Sequence, residues 1–214
     1  MPDTPATDWT RYYESPFPAA HITRRITAHR IAKMVLAAGG FPDRHGRIIE
    51  LGGGNSAFCG MFMRRLCASH YTVVDSNLRG VELFEANRPG PEAKAICSDI
   101  LALDSASIPP ADLVFSVGLV EHFFPEEMKI AFRRHFELAK PGGLVLITFP
   151  TPTFSYRIIR RTAEALGIWR FPDEHPIPLE DAVRLCAEHG DVLAKRLNRA
   201  ILLTQGIVLA RKPC

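Results

Sequence analysis

Residues 48–56 read Ile-Ile-Glu-Leu-Gly-Gly-Gly-Asn-Ser, and this stretch decides the fold. Its apolar first half is typical of a buried strand, and the three glycines let the backbone turn sharply and approach a ligand closely. No Gly-Lys-Ser or Gly-Lys-Thr follows, so the turn is not a phosphate-binding P-loop. The spacing of Gly52, Gly54 and Ala57 fits a dinucleotide-binding fingerprint only loosely. The stretch therefore predicts a strand, a ligand-binding turn and a helix.

Strands and helices alternate on both sides of the glycine turn. Apolar runs predict strands at residues 47–51, 71–74, 93–97, 112–117, 144–149, 192–196 and 206–210. Helical spacing of apolar residues predicts helices at 21–38, 56–67, 78–87, 126–139 and 179–189. Such alternation is typical of a parallel sheet with helices on both faces, which binds ligands at the carboxyl ends of its strands.

The N-terminal segment before residue 21 has a different composition. Its four prolines predict neither a regular helix nor a strand. The aromatic residues Trp9, Tyr12 and Tyr13 suggest instead that part of the segment docks on the body of the protein.

Composition limits the class of protein. With 214 residues, the chain has the length of one domain. Its 26 Lys and Arg against 23 Asp and Glu give a net charge of only +3, which argues against nucleic acid or an acidic membrane as the main partner. The five cysteines include no Cys-x-x-Cys pair, so neither a disulfide framework nor a zinc site is predicted. Without a signal-peptide pattern or an apolar run of about 20 residues, we expect a cytoplasmic protein without membrane contact.

Three acidic residues accompany the ends of the first three strands. Glu50 lies in the first strand, where it binds either a ligand or a nearby amide or base of the protein. Asp75 follows the second strand at the usual spacing of about 20 residues after the glycines, where it can accept both hydroxyls of a ribose or cap the next helix. Asp99 follows the third strand. With Ser98 it could bind the amine of an adenine, with Ile100 packed on the ring, or it could form a plain Asx turn.

Five features in this order resemble the class I S-adenosylmethionine-dependent methyltransferases of the small-molecule type. They are Glu50 with its glycines, Asp75, Asp99, residues 112–123 and the Lys-Pro-Gly-Gly run at 140–143. The match covers about residues 47 to 150. Lys-Pro-Gly-Gly before an apolar strand is a specific mark of this family, whereas the glycine motif alone is not.

The resemblance implies an α/β fold: a single Rossmann-like, doubly wound sheet of seven strands, with the last strand antiparallel and helices on both faces. One methyltransferase domain would then span residues 1–214. Its parts would be an N-terminal lid and helix (1–40), a cofactor-binding core (47–150), an acceptor-pocket insertion with a helix (151–190) and closing strands (191–214).

The resemblance also implies S-adenosyl-L-methionine as the cofactor and assigns residues to its parts. Glu50 and the glycines Gly52, Gly53 and Gly54 would surround the methionine portion. The other contacts would be Asp75 and Ser76 at the ribose, Ser98, Asp99 and Ile100 at the adenine, and Val117 and Gly118 after the fourth strand.

His122 is the candidate catalytic residue. It follows the fourth strand, near the expected position of the transferred methyl group, and an imidazole with a pKa near 6.5 suits removal of a proton from an acceptor. Glu121 could orient it. Alternatively, His122 packs in the loop or caps it before Pro125.

The acceptor pocket is expected after the fifth strand, because this family usually builds it there. Tyr12 and Tyr13 are candidates for a lid or are simply buried aromatic residues, and His175 belongs to a polar cluster that could bind the substrate. The candidate aromatic walls are Phe154, Tyr156, Trp169 and Phe171. Asp173 beside His175 suggests a metal only weakly, since no third ligand is evident, and we expect none. The basic residues at 157, 160 and 161 either form a solvated helix face or recognise an anionic substrate.

The leading hypothesis is O- or N-methylation of a small-molecule acceptor. A nucleic-acid methyltransferase is an alternative, but no Asn-Pro-Pro-Tyr motif follows the fourth strand. A nicotinamide-dependent oxidoreductase would fit the loose fingerprint, but this sequence lacks a Tyr-x-x-x-Lys pair. A non-catalytic cofactor-binding subunit also stays open. The sequence specifies neither the acceptor nor the oligomeric state.

Overall fold

The computed structural model describes residues 6–15, 20–41, 45–200 and 203–214. The described strands are β1 Gly46–Leu51, β2 Ala68–Asp75, β3 Ala93–Cys97, β4 Ala111–Val117, β5 Ala139–Pro150, β6 Asp191–Asn198 and β7 Gln205–Arg211. The described helices are α1 Trp9–Glu14, α2 Ala20–Ala37, α3 Cys59–Arg65, α4 Leu78–Asn87, α5 Pro125–Leu138, α6 Phe154–Ala165 and α7 Leu179–Ala187, with short 3-10 turns at Ser105–Ser107 and Val120–His122. None of these helices is long and apolar enough to cross a membrane. Parts of the expected N-terminal lid (1–5 and 16–19) and of the closing segment (201–202) lie outside these ranges.

The strands form one seven-stranded sheet in the order β3-β2-β1-β4-β5-β7-β6. β7 runs antiparallel to both of its neighbours, and the other neighbouring strands pair in parallel. This confirms the expected Rossmann-like sheet with an antiparallel last strand. Because β1 lies between β2 and β4, the residues that follow these three strands meet at one edge of the sheet.

Two apolar cores lie on opposite faces of the sheet. Alternate residues of β4 divide between them: Phe115 faces the core under α2 and α3, whereas Val114 faces the core under α5 and α7. Both residues are fully buried. The sheet is therefore covered on both faces, as the alternation of strands and helices predicts.

The structure differs from the sequence-based expectations at three helices near the site. One is α6, which lies outside the helices predicted from apolar spacing. The N-terminal segment does contain a helix, α1, because its prolines lie outside residues 9–14 and the Asp8 carboxylate caps it by accepting from the Arg11 amide. α3 begins at Cys59 instead of residue 56. Ser56 has a φ of 24° and belongs to the glycine turn, so a helix cannot start there.

His135 attaches α5 to the centre of the sheet. Its imidazole is fully buried. The ring nitrogen Nδ1 lies 2.7 Å from the Ala131 carbonyl oxygen, and Nε2 lies 2.9 Å from the Ser116 hydroxyl in β4. A neutral imidazole satisfies both contacts by donating through Nδ1 and accepting through Nε2. Burial lowers the pKa of His135 to about 4, against the opposing effect of the Ala131 carbonyl.

This neutral histidine should make stability depend on pH. Because the pKa is lower in the folded than in the unfolded chain, the unfolded chain binds the additional proton between roughly pH 6.5 and 4, and stability falls as pH falls through that window. When the pH is lowered from 7.5 to 5, the free energy of unfolding measured in urea should fall by about 2 kcal/mol less in His135→Gln than in the wild type. The exposed His29 provides the control variant, His29→Gln. Equal losses in His135→Gln and the wild type would contradict the assignment.

Candidate active site

A cavity of about 450 Å³ opens at the carboxyl edge of the sheet. Five of the expected cofactor-binding residues line it: Glu50, Gly52, Gly53, Val117 and Gly118. The expected catalytic residue His122 and the expected substrate-binding residues Tyr12, Tyr13 and Tyr156 also line it. The topology therefore brings residues from the beginning, middle and end of the chain to one cavity.

The glycine turn leaves no room for side chains. Gly52 and Gly54 have φ values of 66° and 47°, in the left-handed region. A Cβ atom on Gly52 would lie 2.7 Å from the Leu119 side chain, and one on Gly53 would lie 2.7 Å from the carboxyl carbon of Glu50. These close approaches explain why the turn consists of glycine.

Glu50 fixes this turn from below. Its side chain is 2% exposed, and its Oε2 accepts hydrogen bonds from the Ser56 hydroxyl (2.5 Å) and the Tyr71 hydroxyl (2.6 Å). Burial raises the pKa of Glu50 to about 7, and the two hydroxyls oppose this rise. Glu50 thus makes structural contacts, but with two hydroxyls instead of the amide or base that the sequence offered as an alternative, and it also lines the cavity.

Asp75 lies beside the turn at the end of β2. Its Oδ2 accepts from the Gly54 amide (2.7 Å) and the Tyr13 hydroxyl (2.9 Å), and its Oδ1 accepts from the Asn77 amide (2.8 Å). Burial raises the pKa of Asp75, and these three hydrogen bonds oppose the rise. The helix-capping side chain of α4 is Asn77, which accepts from the Gly80 amide, so Asp75 is not needed as that cap.

The expected adenine residues follow β3. Asp99 is exposed and accepts from the Leu101 amide at 2.9 Å, which is the Asx turn that the sequence offered as an alternative. Ser98 is partly exposed, and Ser76 after β2 is exposed. Ile100 is 4% exposed and belongs to the apolar core. Its packing on an adenine ring therefore stays a prediction.

The helix α1 covers the cavity with aromatic rings. The Tyr13 ring packs against Gly54, where an added Cβ would lie 2.1 Å from its Cζ. The Trp9 ring meets the His122 ring edge to face, with centroids 4.9 Å apart. The N-terminal segment therefore docks on the body, as its aromatic residues suggest.

Arg24 in α2 is a cavity residue that sequence reasoning missed. Of the described residues that line the cavity, it alone carries a fixed positive charge. Its Nη2 donates to the Tyr12 hydroxyl at 2.9 Å, and its guanidinium lies 5.4 Å from the centre of the Tyr12 ring. Arg25 and Arg30 in the same helix are exposed, whereas Arg24 is partly buried, and nothing in the order of the basic residues distinguishes Arg24 from these two.

His122 pairs with a carboxylate from the segment between α6 and α7. Its Nδ1 lies 3.1 Å from Oδ1 of Asp173, and its side chain is only 9% exposed. Asp173 also accepts hydrogen bonds from the Thr7 amide and hydroxyl. Burial lowers the pKa of His122 against the effect of Asp173. For Asp173, burial alone would raise the pKa, but the bonds from Thr7 and His122 hold it below its usual value.

Two further acidic residues line the cavity. Glu174 is 8% exposed, accepts a hydrogen bond from the Tyr156 hydroxyl, and has its pKa raised to about 7 by burial. Glu121 is 2% exposed, and its Oε2 has no hydrogen-bond partner among the described residues. Burial and the nearby Glu174 raise the pKa of Glu121 well above its usual value.

Three of the expected substrate-binding residues are not among the described residues that line the cavity: Phe154, which is exposed, Trp169 and His175. Trp169 packs behind it, with its ring centre 6.4 Å from that of Tyr156. His175 is exposed, and its ring is tilted by 40° against that of Phe124, with centroids 5.8 Å apart. Arg160 donates a hydrogen bond to the backbone carbonyl of Glu174, which lines the cavity, so this member of the basic run at 157, 160 and 161 has a structural role. Across the described ranges, no three His, Cys, Asp or Glu side chains are grouped to hold a metal ion.

Comparison with known proteins identifies the family of the chain. A family model described as a methyltransferase domain matches residues 19–190, about four fifths of the chain. A search of curated proteins gave no match.

Solved structures with the same fold include several methyltransferases. The N-methyltransferase NodS from Bradyrhizobium japonicum WM9, in complex with S-adenosyl-L-homocysteine, has 15% identity and a TM-score of 0.68 over 95% of this chain and 91% of that chain. Magnesium protoporphyrin IX methyltransferase (ChlM) from Synechocystis PCC 6803 has 12% identity and a TM-score of 0.72 over 95% and 92%. The 1,6-didemethyltoxoflavin-N1-methyltransferase from Burkholderia thailandensis has 18% identity and a TM-score of 0.63 over 92% and 84%.

These likenesses extend over nearly the whole chain, and the family model includes the glycine turn, Asp75 and His122. The resemblance drawn from the sequence is therefore confirmed, and the chain belongs to the methyltransferase domain family, with the fold of the class I S-adenosylmethionine-dependent methyltransferases.

Proposed function

We propose that this protein transfers the methyl group of S-adenosyl-L-methionine to a small-molecule acceptor, with His122 as the base. The observation that carries this proposal is the His122–Asp173 pair, which lies in the same cavity as the glycine turn. The cavity volume of about 450 Å³ suits a small molecule. Similar structures named for their action on protoporphyrin and on didemethyltoxoflavin support the same class of acceptor.

The residues around the turn fit the cofactor. Gly52 and Gly53 present bare backbone to the cavity, which permits the close approach of a methionine chain. Arg24 offers a charge partner for its carboxylate. Asp75 offers acceptor oxygens for a ribose once the Tyr13 hydroxyl gives up its place on Oδ2. When bound, the cofactor supplies a methyl group activated by a sulfonium, which passes in line to the acceptor atom while its bonding pair stays on sulfur.

The chain's own residues position the acceptor and remove its proton. In neutral His122, Nδ1–H donates to Asp173, which leaves the lone pair of Nε2 for a proton of the acceptor. Asp173 then stabilises the imidazolium that forms. Trp9 and Phe171 pack around the imidazole and exclude water from it.

Cofactor binding should depend on Asp75. Asp75→Ala removes both carboxylate oxygens, and the loss of a charged hydrogen bond should weaken binding of S-adenosyl-L-homocysteine by ~10–100-fold in isothermal titration calorimetry. Asp104→Ala serves as the control, since exposed Asp104 also accepts the amide two residues further on (Ala106, 3.0 Å). Unchanged affinity in a folded Asp75→Ala protein would refute the ribose site.

Close approach at the glycine turn should also be required. Gly52→Val would place a branched side chain against Leu119 at a positive φ, so we expect loss of S-adenosyl-L-homocysteine binding. The matched control is Gly90→Val, at an open position with no atom within 4 Å of an added Cβ. Thermal unfolding without ligand separates loss of the fold from loss of the site. Normal binding by folded Gly52→Val would make the turn purely structural.

Removal of His122 should affect chemistry more than cofactor binding. Once a screen of small amines, phenols and carboxylates has supplied an acceptor, His122→Ala and His122→Asn should slow single-turnover methyl transfer by ~10²–10⁴-fold, with affinity for the cofactor retained. The wild-type rate should rise with pH through an ionisation below pH ~6.5, because burial lowers the pKa of His122 and the neutral imidazole is the base. That rise should disappear in both variants. Near-normal turnover in them would reduce His122 to a wall of the pocket.

A further inference from the structure

Two buried carboxylates that line the cavity, Glu121 and Glu174, have no role in the mechanism above, and of these two Glu121 has an oxygen without a donor among the described residues. Glu121 lies in the 3-10 turn directly before His122, lines the cavity and is 2% exposed. Its Oε2 has no donor among the described residues. Buried polar atoms are nearly always hydrogen-bonded, so an unpartnered carboxylate oxygen at a cavity points to a donor supplied by a ligand.

The charges near Glu121 indicate which donor it would prefer. Its electrostatic neighbours are the carboxylates of Glu174 and Asp173. The Glu174 carboxylate has the Tyr156 hydroxyl and, at 4.0 Å, the Arg160 guanidinium as partners, and the Asp173 carboxylate has Thr7 and His122. Glu121 has only acidic neighbours, which favours a ligand group that carries positive charge as well as hydrogen-bond donors.

The walls of the cavity suit a cation as well. Trp9, Tyr12, Tyr156 and Phe171 all line it. Aromatic faces attract ammonium groups through their quadrupole, most strongly where water is excluded. Arg24 carries the fixed positive charge among the described residues that line the cavity. Its guanidinium lies over the Tyr12 ring, donates to the Tyr12 hydroxyl and interacts electrostatically with Glu50. A cation bound at Glu121 would favour the ionised form of this carboxyl group, which burial and the nearby Glu174 otherwise disfavour.

We propose that Glu121 binds the protonated nitrogen of the acceptor, and that the acceptor is a primary or secondary amine. This rests on the proposed function and names its substrate class. The ammonium docks against Glu121 and gives one proton to Nε2 of His122, which frees the nitrogen lone pair. That pair forms the bond to the methyl carbon as the carbon–sulfur bond breaks and its electrons stay on sulfur. The methylated ammonium leaves, and His122 releases its proton to water.

The test compares three probes of one shape and different charge. 2-Phenylethylamine, 2-phenylethanol and 3-phenylpropanoate are titrated into the full chain saturated with S-adenosyl-L-homocysteine, and binding is measured by calorimetry. Each probe is repeated with Glu121→Gln, which removes the charge, and Glu121→Asp, which keeps it. Exposed Glu126, whose side chain is 83% accessible, provides the control Glu126→Gln.

We expect the wild type and Glu126→Gln to bind the amine at least ~10-fold more tightly than the alcohol, and to bind the carboxylate least. Glu121→Gln should lose that preference, and Glu121→Asp should keep part of it. Equal or tighter binding of the alcohol or the carboxylate by the wild type overturns the proposal without any variant, as does an amine preference that survives in Glu121→Gln. Failure of the wild type to bind the amine also overturns it. Failure to bind S-adenosyl-L-homocysteine would instead refute the proposed function.

Discussion

The buried carboxylate of Glu50 is the constraint on which the site depends. A carboxylate removed from water must find donors, and it finds them in Ser56 at the end of the glycine turn and in Tyr71 of the next strand. The two hydroxyls attach the turn to β2. As a result, the Gly54 amide lies within 2.7 Å of Asp75 and the backbone of Gly52 and Gly53 faces the cavity. The strand order places the glycine turn at the carboxyl edge of the sheet, and the hydrogen bonds of Glu50 fix its orientation there.

A second set of contacts completes the cavity from outside the sheet. The segment between α6 and α7 brings Asp173 to His122, and the N-terminal segment brings Thr7 to Asp173. These contacts give His122 a defined tautomer, with its other nitrogen directed away from Asp173. The sheet thus provides the cofactor side of the cavity, and segments outside it provide the acceptor side.

The sequence predicts the first of these two sets far better than the second. Apolar periodicity and the spacing of Asp75 from the glycines are local signals, and they predict the sheet, the glycine turn and Asp75 as the proposed partner of a ribose. Nothing in the spacing of Thr7, Arg24 or Asp173 shows that they reach the cavity, because their contacts are tertiary. The aromatic residues were identified as a group, yet the structure puts Phe171 on the cavity and Trp169 behind it. The helix α1 is not predicted, because the prolines on either side of it indicate irregular structure, although the short segment between them has its own Asp cap.

The bond between Thr7 and Asp173 joins residues 166 positions apart in the chain. A contact of such separation closes a long loop, which carries an entropy cost. α1 is one short helix, so it can detach while the sheet and both cores stay intact, as a local opening of low free energy. Amide exchange in residues 9–14 would therefore be faster than in β4, and each opening would remove Thr7 from Asp173 and Trp9 from His122. Opening of α1 would thus expose the His122–Asp173 pair to water without unfolding the sheet, and conditions too mild to unfold the sheet would be enough to favour it.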